Sequence, residues 1–268
     1  MTAPNPYTHG YGRAVLDSHR ARTAGNSAAH LLPHLRAGMR LLDVGSGAGT
    51  ITADLARIVG PENLLALEVG EEAAALTRAE LERQGLGAAR VLVGDAHHLP
   101  LGDDEVDVVH AHQVLQHVQD PVRVLAEMRR ATRPGGLVAV RDSDYEGFRW
   151  WPETPALDRW VALYLRAARA NGGTPDAGRR LLAWAREAGF ADVTASSSTW
   201  CHATEESRAA WAATCAGRLT AGPFAARLER ECWADGAERE ELAEAFRAWA
   251  RDPDAWFSLL HGEILARA

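Results

Sequence analysis

Leu41-Leu42-Asp43-Val44-Gly45-Ser46-Gly47-Ala48-Gly49-Thr50 is the stretch on which the reading of this chain turns. An apolar run ends in an acidic residue, passes through a Gly-x-Gly-x-Gly turn and enters a helical stretch, Thr50 to Val59, directly. A buried parallel strand that leads through glycines into a helix is how an open α/β sheet makes room for a nucleotide-like ligand. The glycines let backbone approach the ligand, and the first N–H groups of the helix point at it. The dinucleotide fingerprint G-x-G-x-x-G places its third glycine one position beyond Gly49, where this chain carries Thr50.

Downstream, Asn63-Leu64-Leu65-Ala66-Leu67-Glu68 reads as a second strand that ends in a carboxylate. It lies about 20 residues past the turn, the distance from which an acidic side chain accepts from ribose hydroxyls in such folds. Arg90 to Ala96 reads as a third strand closing on Gly94-Asp95-Ala96, Asp104 to Val118 as a fourth strand and its loop, and Arg133 to Val140 as a turn and fifth strand. Helical patterns over Thr50–Val59, Glu71–Gln84 and Pro121–Thr132 separate them. That is the βαβ rhythm of a parallel sheet covered on both faces, with right-handed crossovers.

The acidic residue before the tight glycine turn, Glu68, Gly94-Asp95-Ala96 and the loop after the fourth strand, in that order, resemble the class I S-adenosylmethionine (SAM) methyltransferases. Among these the chain looks most like the ubiquinone/menaquinone-biosynthesis type that acts on small molecules, over residues 35–200. The resemblance implies a doubly wound, Rossmann-like, seven-stranded and mostly parallel α/β sheet. It implies SAM as cofactor, S-adenosylhomocysteine (SAH) as product and a small-molecule methyl acceptor. By the same likeness, Asp43, Gly45, Ser46 and Gly47 form the glycine turn under the cofactor, and Glu68 with Val69 meets the ribose. Gly94, Asp95 and Ala96 meet the adenine, the Asp95 carboxylate accepting from the amino group. His112 and Gln113 would lie around the ribose and sulfonium.

The N-terminal Pro-, Gly- and Tyr-rich residues 1–12 read as irregular, and the spacing predicts a helix from Arg13 to about Leu35. His19, Arg22, Thr23 and Asn26 fall on one side of it. This stripe is either a solvated face or part of a lid with His19 or Arg22 near the methionine carboxylate. The resemblance adds Tyr7 or Tyr11 as a cofactor-covering residue. The chain thus divides into a lid (1–36), a SAM-binding core (37–200), a helical insertion forming part of the acceptor pocket (201–256) and a last core strand (257–268).

All nine tryptophans stand at or after position 150. Pro152–Ala170 and Asp176–Ala188 read as helices around the stop Asn171-Gly172-Gly173-Thr174-Pro175. Ala191–Trp200 reads as a sixth strand, residues 205–251 as two or three helices, and Leu259–Ala266 as a seventh, antiparallel strand ending the sheet. Asp144 and Tyr145 follow the fifth strand at the end where open sheets bind ligands. Adjacent Trp150 and Trp151 cannot both face one core, so one is expected at the substrate entrance. An indole-walled pocket suits a flat or greasy acceptor, or an amine held by cation–π contact.

A sulfonium is already an activated methyl donor, so placement and exclusion of water supply much of the acceleration. Where a base is needed, His117, just past the fourth strand, is the candidate, although it also suits a packing or cofactor-binding role in that loop.

A formal charge of −7 over 268 residues opposes a polyanion-binding surface, and no apolar run is long enough to span a membrane. With no signal-peptide pattern at the start, a cytoplasmic monomer or homodimer without nucleic-acid or membrane partners is expected. Cys201, Cys215 and Cys232 make no ligand cluster, and His110 with His112 reads better as strand-end residues than as a chelate; no metal is expected. Two other chemistries compete: a SAM-binding protein that catalyses a rearrangement without methyl transfer, and a nicotinamide-dependent oxidoreductase, which the glycine spacing disfavours. The Asn/Asp-Pro-Pro-Tyr/Phe motif of DNA amino-group methylators is not found where His112-Gln113-Val114-Leu115 stands.

Overall fold

The computed structural model describes residues 21–268. Five parallel strands form the heart of the sheet: β1 (Leu41–Val44), β2 (Leu64–Glu68), β3 (Arg90–Val93), β4 (Val106–His112) and β5 (Thr132–Ser143). They lie in the order β3-β2-β1-β4-β5. The order reverses between β1 and β4, and ligands of open α/β sheets bind at the carboxyl ends of strands flanking such a switch point. β1 and β2 are buried at every residue, as strands covered on both faces must be.

A four-residue helix, α1 (Ala24–Ser27), with α2 (Thr50–Val59) and α3 (Glu71–Arg83), covers one face. There Ala28, Leu31, Leu55, Ala56 and Leu81 pack on Leu41, Ala66 and Ala139. On the other face α4 (Pro121–Ala131) and α6 (Leu181–Glu187) bring Leu125, Met128, Leu181 and Ala185 against Leu42, Val109, Val138 and Ile264. A third core joins α5 (Pro155–Ala170) to α7 (Glu205–Thr220), α8 (Gly222–Arg230) and α9 (Gly236–Arg251) through Trp160, Tyr164, Trp211, Phe224 and Phe246.

Two expectations are corrected. Leu259–Ala266 belongs to β8 (Trp256–Arg267), which does not end the sheet. One of its edges pairs antiparallel first with β6 (Arg149–Trp151) and then with β5, and the other pairs along its length with β7 (Asp192–His202). Phe257, Leu259, Ile264 and Ala266 are buried, which fits a central strand, whereas the Ser- and Thr-rich β7 is largely exposed and makes the edge. The sheet therefore has eight strands, β6 being a short continuation of β5 after a turn at Tyr145–Gly147. The second correction concerns the described part of the expected Arg13–Leu35 helix. It consists of α1 and a separate 3-10 turn at Leu32–His34, because a Thr23/Asn26 capping box starts α1 and Pro33 fits only a new turn.

Candidate functional site

The glycine turn takes its shape from two interactions beneath it. Asp43, buried at the end of β1, accepts from Thr52 Oγ1 at 2.6 Å and from His110 Nδ1 at 2.7 Å. These bonds tie β1, α2 and β4 together under the loop. Gly45 has φ +72, and a Cβ on it would lie 2.5 Å from Val114 Cγ2, so the turn and the loop after β4 are in contact. Thr77 Oγ1 donates to the Gly47 carbonyl at 2.9 Å and meets Ser46 Oγ at the same distance.

Glu68 ends β2 beside this turn. Its carboxylate accepts from the Gly47 N–H at 2.5 Å and from the Val69 N–H at 3.3 Å. Burial pushes its pKa up, and these two N–H bonds oppose the shift only in part. The Glu68 carbonyl receives the Gly94 N–H at 2.8 Å, which aligns the end of β3. Asp95, with 60% of its side chain exposed, accepts from the His97 backbone N–H and from His97 Nδ1. Burial opposes its ionisation, but the His97 contacts outweigh that and hold the carboxyl below its usual range.

These residues border a cavity of about 580 Å³, whose wall divides by place in the fold into two parts, or lobes. One is walled by the glycine turn, Glu68, Val69, Gly94, Asp95, Ala96, His97 and His98. The other is walled by His112, Gln113, Gln116, His117, Tyr164, Ala168, Asn171 and Pro175, with Arg22 from the N-terminal segment. The second lobe depends on a buried carboxylate, Asp142. It accepts from the Leu115 N–H at 2.9 Å and the Gln116 N–H at 3.3 Å, and so folds the loop after β4 onto β5. Burial pushes Asp142 up to about 7 despite these bonds.

Arg22 lines the cavity and also lies over the Trp200 ring, 5.4 Å from its centroid; Arg141 lies over the same ring at 5.0 Å. Trp200 Nε1 donates to the Asn26 carbonyl at 2.8 Å, so β7 holds the N-terminal segment against the sheet. Arg141 itself faces away from the cavity, with Nε donating to Ser198 and Glu263. Burial, followed by the charge of Arg22, holds His112 well below the usual histidine range; burial with Arg22 and Arg218 brings His117 to about 3. Both rings are neutral at physiological pH, so His117 is a weak base where it stands.

Of the residues expected from sequence, the cavity gathers Arg22, Asp43, Gly45, Ser46, Gly47, Glu68, Val69, Gly94, Asp95, Ala96, His112, Gln113 and His117. Tyr7, Tyr11 and His19 lie outside the described residues. The four residues expected on the acceptor side do not line it. Asp144 pairs with Arg179, and Tyr145 is stacked between Phe148 and Tyr164. Trp150 donates to Asp158 and stacks on Phe257, and Trp151 points outward, 60% exposed. The reason is β6: continuing the line of β5, it carries both tryptophans past the cavity, Trp150 into the third core and Trp151 to the surface. Among the described residues none from 205–251 lines the cavity either; the wall comes from α5 and from residues 171–175 after it. Sequence reading took Asn171–Pro175 only as a helix stop and passed over Gln116 and Tyr164. The clue to Gln116 was its place between Gln113 and His117, in the loop at the switch point.

The arrangement fits an adenosyl sulfonium: Gly47 leaves open space above its backbone, the Glu68 carboxylate stands beside it on the cavity wall, and the residues at the end of β4 continue that wall. Residues 42–140 match the family model described as a methyltransferase domain. An uncharacterised methyltransferase of Schizosaccharomyces pombe is 31% identical over 269 residues, covering 97% of this chain and 95% of that protein. The ubiquinone/menaquinone biosynthesis C-methyltransferase UbiE of Idiomarina loihiensis is 33% identical over 108 residues, 40% of this chain and 43% of that protein. Phosphoethanolamine N-methyltransferase 2 of Haemonchus contortus, solved with SAH, shares the fold with a TM-score of 0.56 at 14% identity, over 89% of this chain and 51% of that one. The chain belongs to the class I SAM-dependent methyltransferases.

Proposed function

We propose that this methyltransferase acts on a small molecule held in the lobe between the loop after β4 and α5. SAM supplies an electrophilic methyl group whose departure leaves a neutral thioether. In this reading Glu68 accepts from the ribose hydroxyls, and Asp95 with the Ala96 N–H holds the adenine. Arg22 pairs with the methionine carboxylate, and His112 and Gln113 border the methyl group. Positioning and dryness do most of the work, since the two histidines nearest the acceptor are neutral and weakly basic. Helices α7–α9 contribute indirectly, by packing on α5 behind the Tyr164 wall.

The supporting observation is the carboxylate of Glu68, buried beside the glycine turn and facing the cavity at the end of β2. Glu68→Ala removes a charged acceptor, for which a loss of about 2 kcal/mol in SAM binding, roughly thirtyfold, is expected. Asp95→Ala, at a more exposed site, is expected to lose about tenfold or less. Calorimetric titration with SAM and SAH measures both, and unchanged affinity in Glu68→Ala would defeat the ribose assignment. Methyl-labelled SAM incubated with candidate acceptors then separates methyl transfer from a rearrangement, because only the former labels the product.

A further inference from the structure

We infer that Gln116 selects the methyl acceptor, and that the acceptor presents an acidic hydroxyl, a phenol or an enol, to the Gln116 amide nitrogen. The inference rests on the second lobe being the acceptor site. Gln116 is 2% exposed, and all its polar groups but one are fixed. Its backbone N–H donates to Asp142, its carbonyl accepts from the Thr174 N–H at 2.9 Å, and its Oε1 accepts from Ser143 Oγ at 2.5 Å. Nε2 is buried without a hydrogen-bond partner among the described residues, in a residue that lines the cavity. With Oε1 turned to the Ser143 hydroxyl, the amide holds Nε2 as a donor that has no acceptor among the described residues. Gly173 keeps the far wall close: a Cβ there would sit 2.7 Å from the Gln116 carbonyl.

The surroundings favour oxygen over an ammonium nitrogen. His112 shares the lobe, and neither of its ring nitrogens has a hydrogen-bond partner among the described residues. Its neutral ring can donate from one and accept at the other. Tyr164, stacked on Tyr145 at 4.2 Å, offers a flat wall. The carboxylates that border the cavity are engaged elsewhere: Asp43 with Thr52 and His110, Glu68 with the glycine turn, Asp95 with His97, and Asp120 with the Arg123 N–H. Among the described residues, the lobe around Gln116 presents no acidic side chain. A protonated amine would meet the Gln116 amide donor with no carboxylate beside it among the described residues, whereas a hydroxyl or its anion accepts from that amide.

The chemistry balances without a histidine base. An acidic hydroxyl gives its proton to solvent. The oxygen lone pair then forms the O–CH3 bond while the S–CH3 bond breaks and leaves its electrons on sulfur, so anion and sulfonium are neutralised together.

The test uses the whole chain saturated with SAH and three probes titrated by calorimetry: 2-naphthol, 2-methoxynaphthalene and 2-naphthylmethylamine. Binding of 2-naphthol about tenfold or more tighter than either analogue is expected, because a site built around a donor penalises a ligand that cannot accept it well. Gln116→Leu should bring 2-naphthol to the affinity of its ether, and Gln116→Glu should turn the preference toward the amine. SAH affinity, measured in each variant, reports an intact cofactor lobe. Equal binding of naphthol and ether by the wild type, tighter binding of the amine, no binding of naphthol, or a naphthol preference that survives Gln116→Leu overturns the inference. SAH bound without hydroxyl preference defeats this inference alone; failure to bind SAH defeats the cofactor assignment beneath it.

Discussion

Gly45 and Gly47 both have positive φ, yet they are glycines for different reasons. At Gly45 (φ +72) a Cβ would collide with Val114 Cγ2 at 2.5 Å, so the absent methyl is where the loop after β4 rests. At Gly47 (φ +55) nothing among the described residues lies within 4 Å, and the open space is part of the cavity. Gly45→Ala should therefore cost about 2–4 kcal/mol from overpacking and left-handed strain, lowering Tm by roughly 5–10 °C. Gly47→Ala should cost only about 1–2 kcal/mol of strain but weaken SAM binding about tenfold, since its methyl enters the cavity. Thermal unfolding and calorimetry on the two variants separate these outcomes. Equal losses of stability, or SAM affinity untouched in Gly47→Ala, would contradict the assignment.

At the scale of elements, the position of β8 decides how the carboxyl end of the sheet is built. Gly262 of β8 meets Gly178 of the 3-10 turn Ala177–Arg180, and a Cβ on Gly262 would lie 1.9 Å from the Gly178 carbonyl oxygen. Backbone rests on backbone there, so no side chain can yield. Gly262→Ala should displace the turn and cost more than about 3 kcal/mol, read as a fall in the urea midpoint; a midpoint within error of the wild type would show that the turn is free to move. This junction also marks where sequence reading stops. The succession of β1 to β5 along the chain was legible because each contains a short apolar run and helical patterns separate most of them, and Glu68 and Asp95 were legible because each stands just at the end of such a run. β6 was not, since three residues with two tryptophans show no period. The inward place of β8 was not either, because pairing is settled by which strand is buried on both sides: Phe257 to Ala266 against Ser196 to Thr199. Gln116 escaped for a related reason. Its meaning lies in bonds from Asp142, Ser143 and Thr174, which only the folded loop brings to it.

For the whole molecule, the same burial that shapes the site makes stability depend on acid. Burial lowers His30 to about 4 and His117 to about 3, and it also depresses His112, His202 and His261. Each has a folded pKa below its unfolded value near 6.5, so its contribution is present above that pH. It is lost as pH falls, when the unfolded chain takes up protons the folded one refuses. Asp142 at about 7 and Glu68, also raised by burial, work the other way, the folded state holding a proton that the unfolded state releases above about pH 4. The five rings outweigh the raised carboxyls, so unfolding takes up protons in mild acid, at about 1.4 kcal/mol per proton and pH unit. Between pH 7.5 and 5.5 the stability measured by urea unfolding should fall by roughly 2–5 kcal/mol, less at the upper end because the free histidines are only partly charged there. His117→Asn should reduce that slope by about one proton. A flat profile, or one rising toward acid, would mean that the five rings do not stay neutral in the fold and that His117 keeps the basicity needed to serve as a general base.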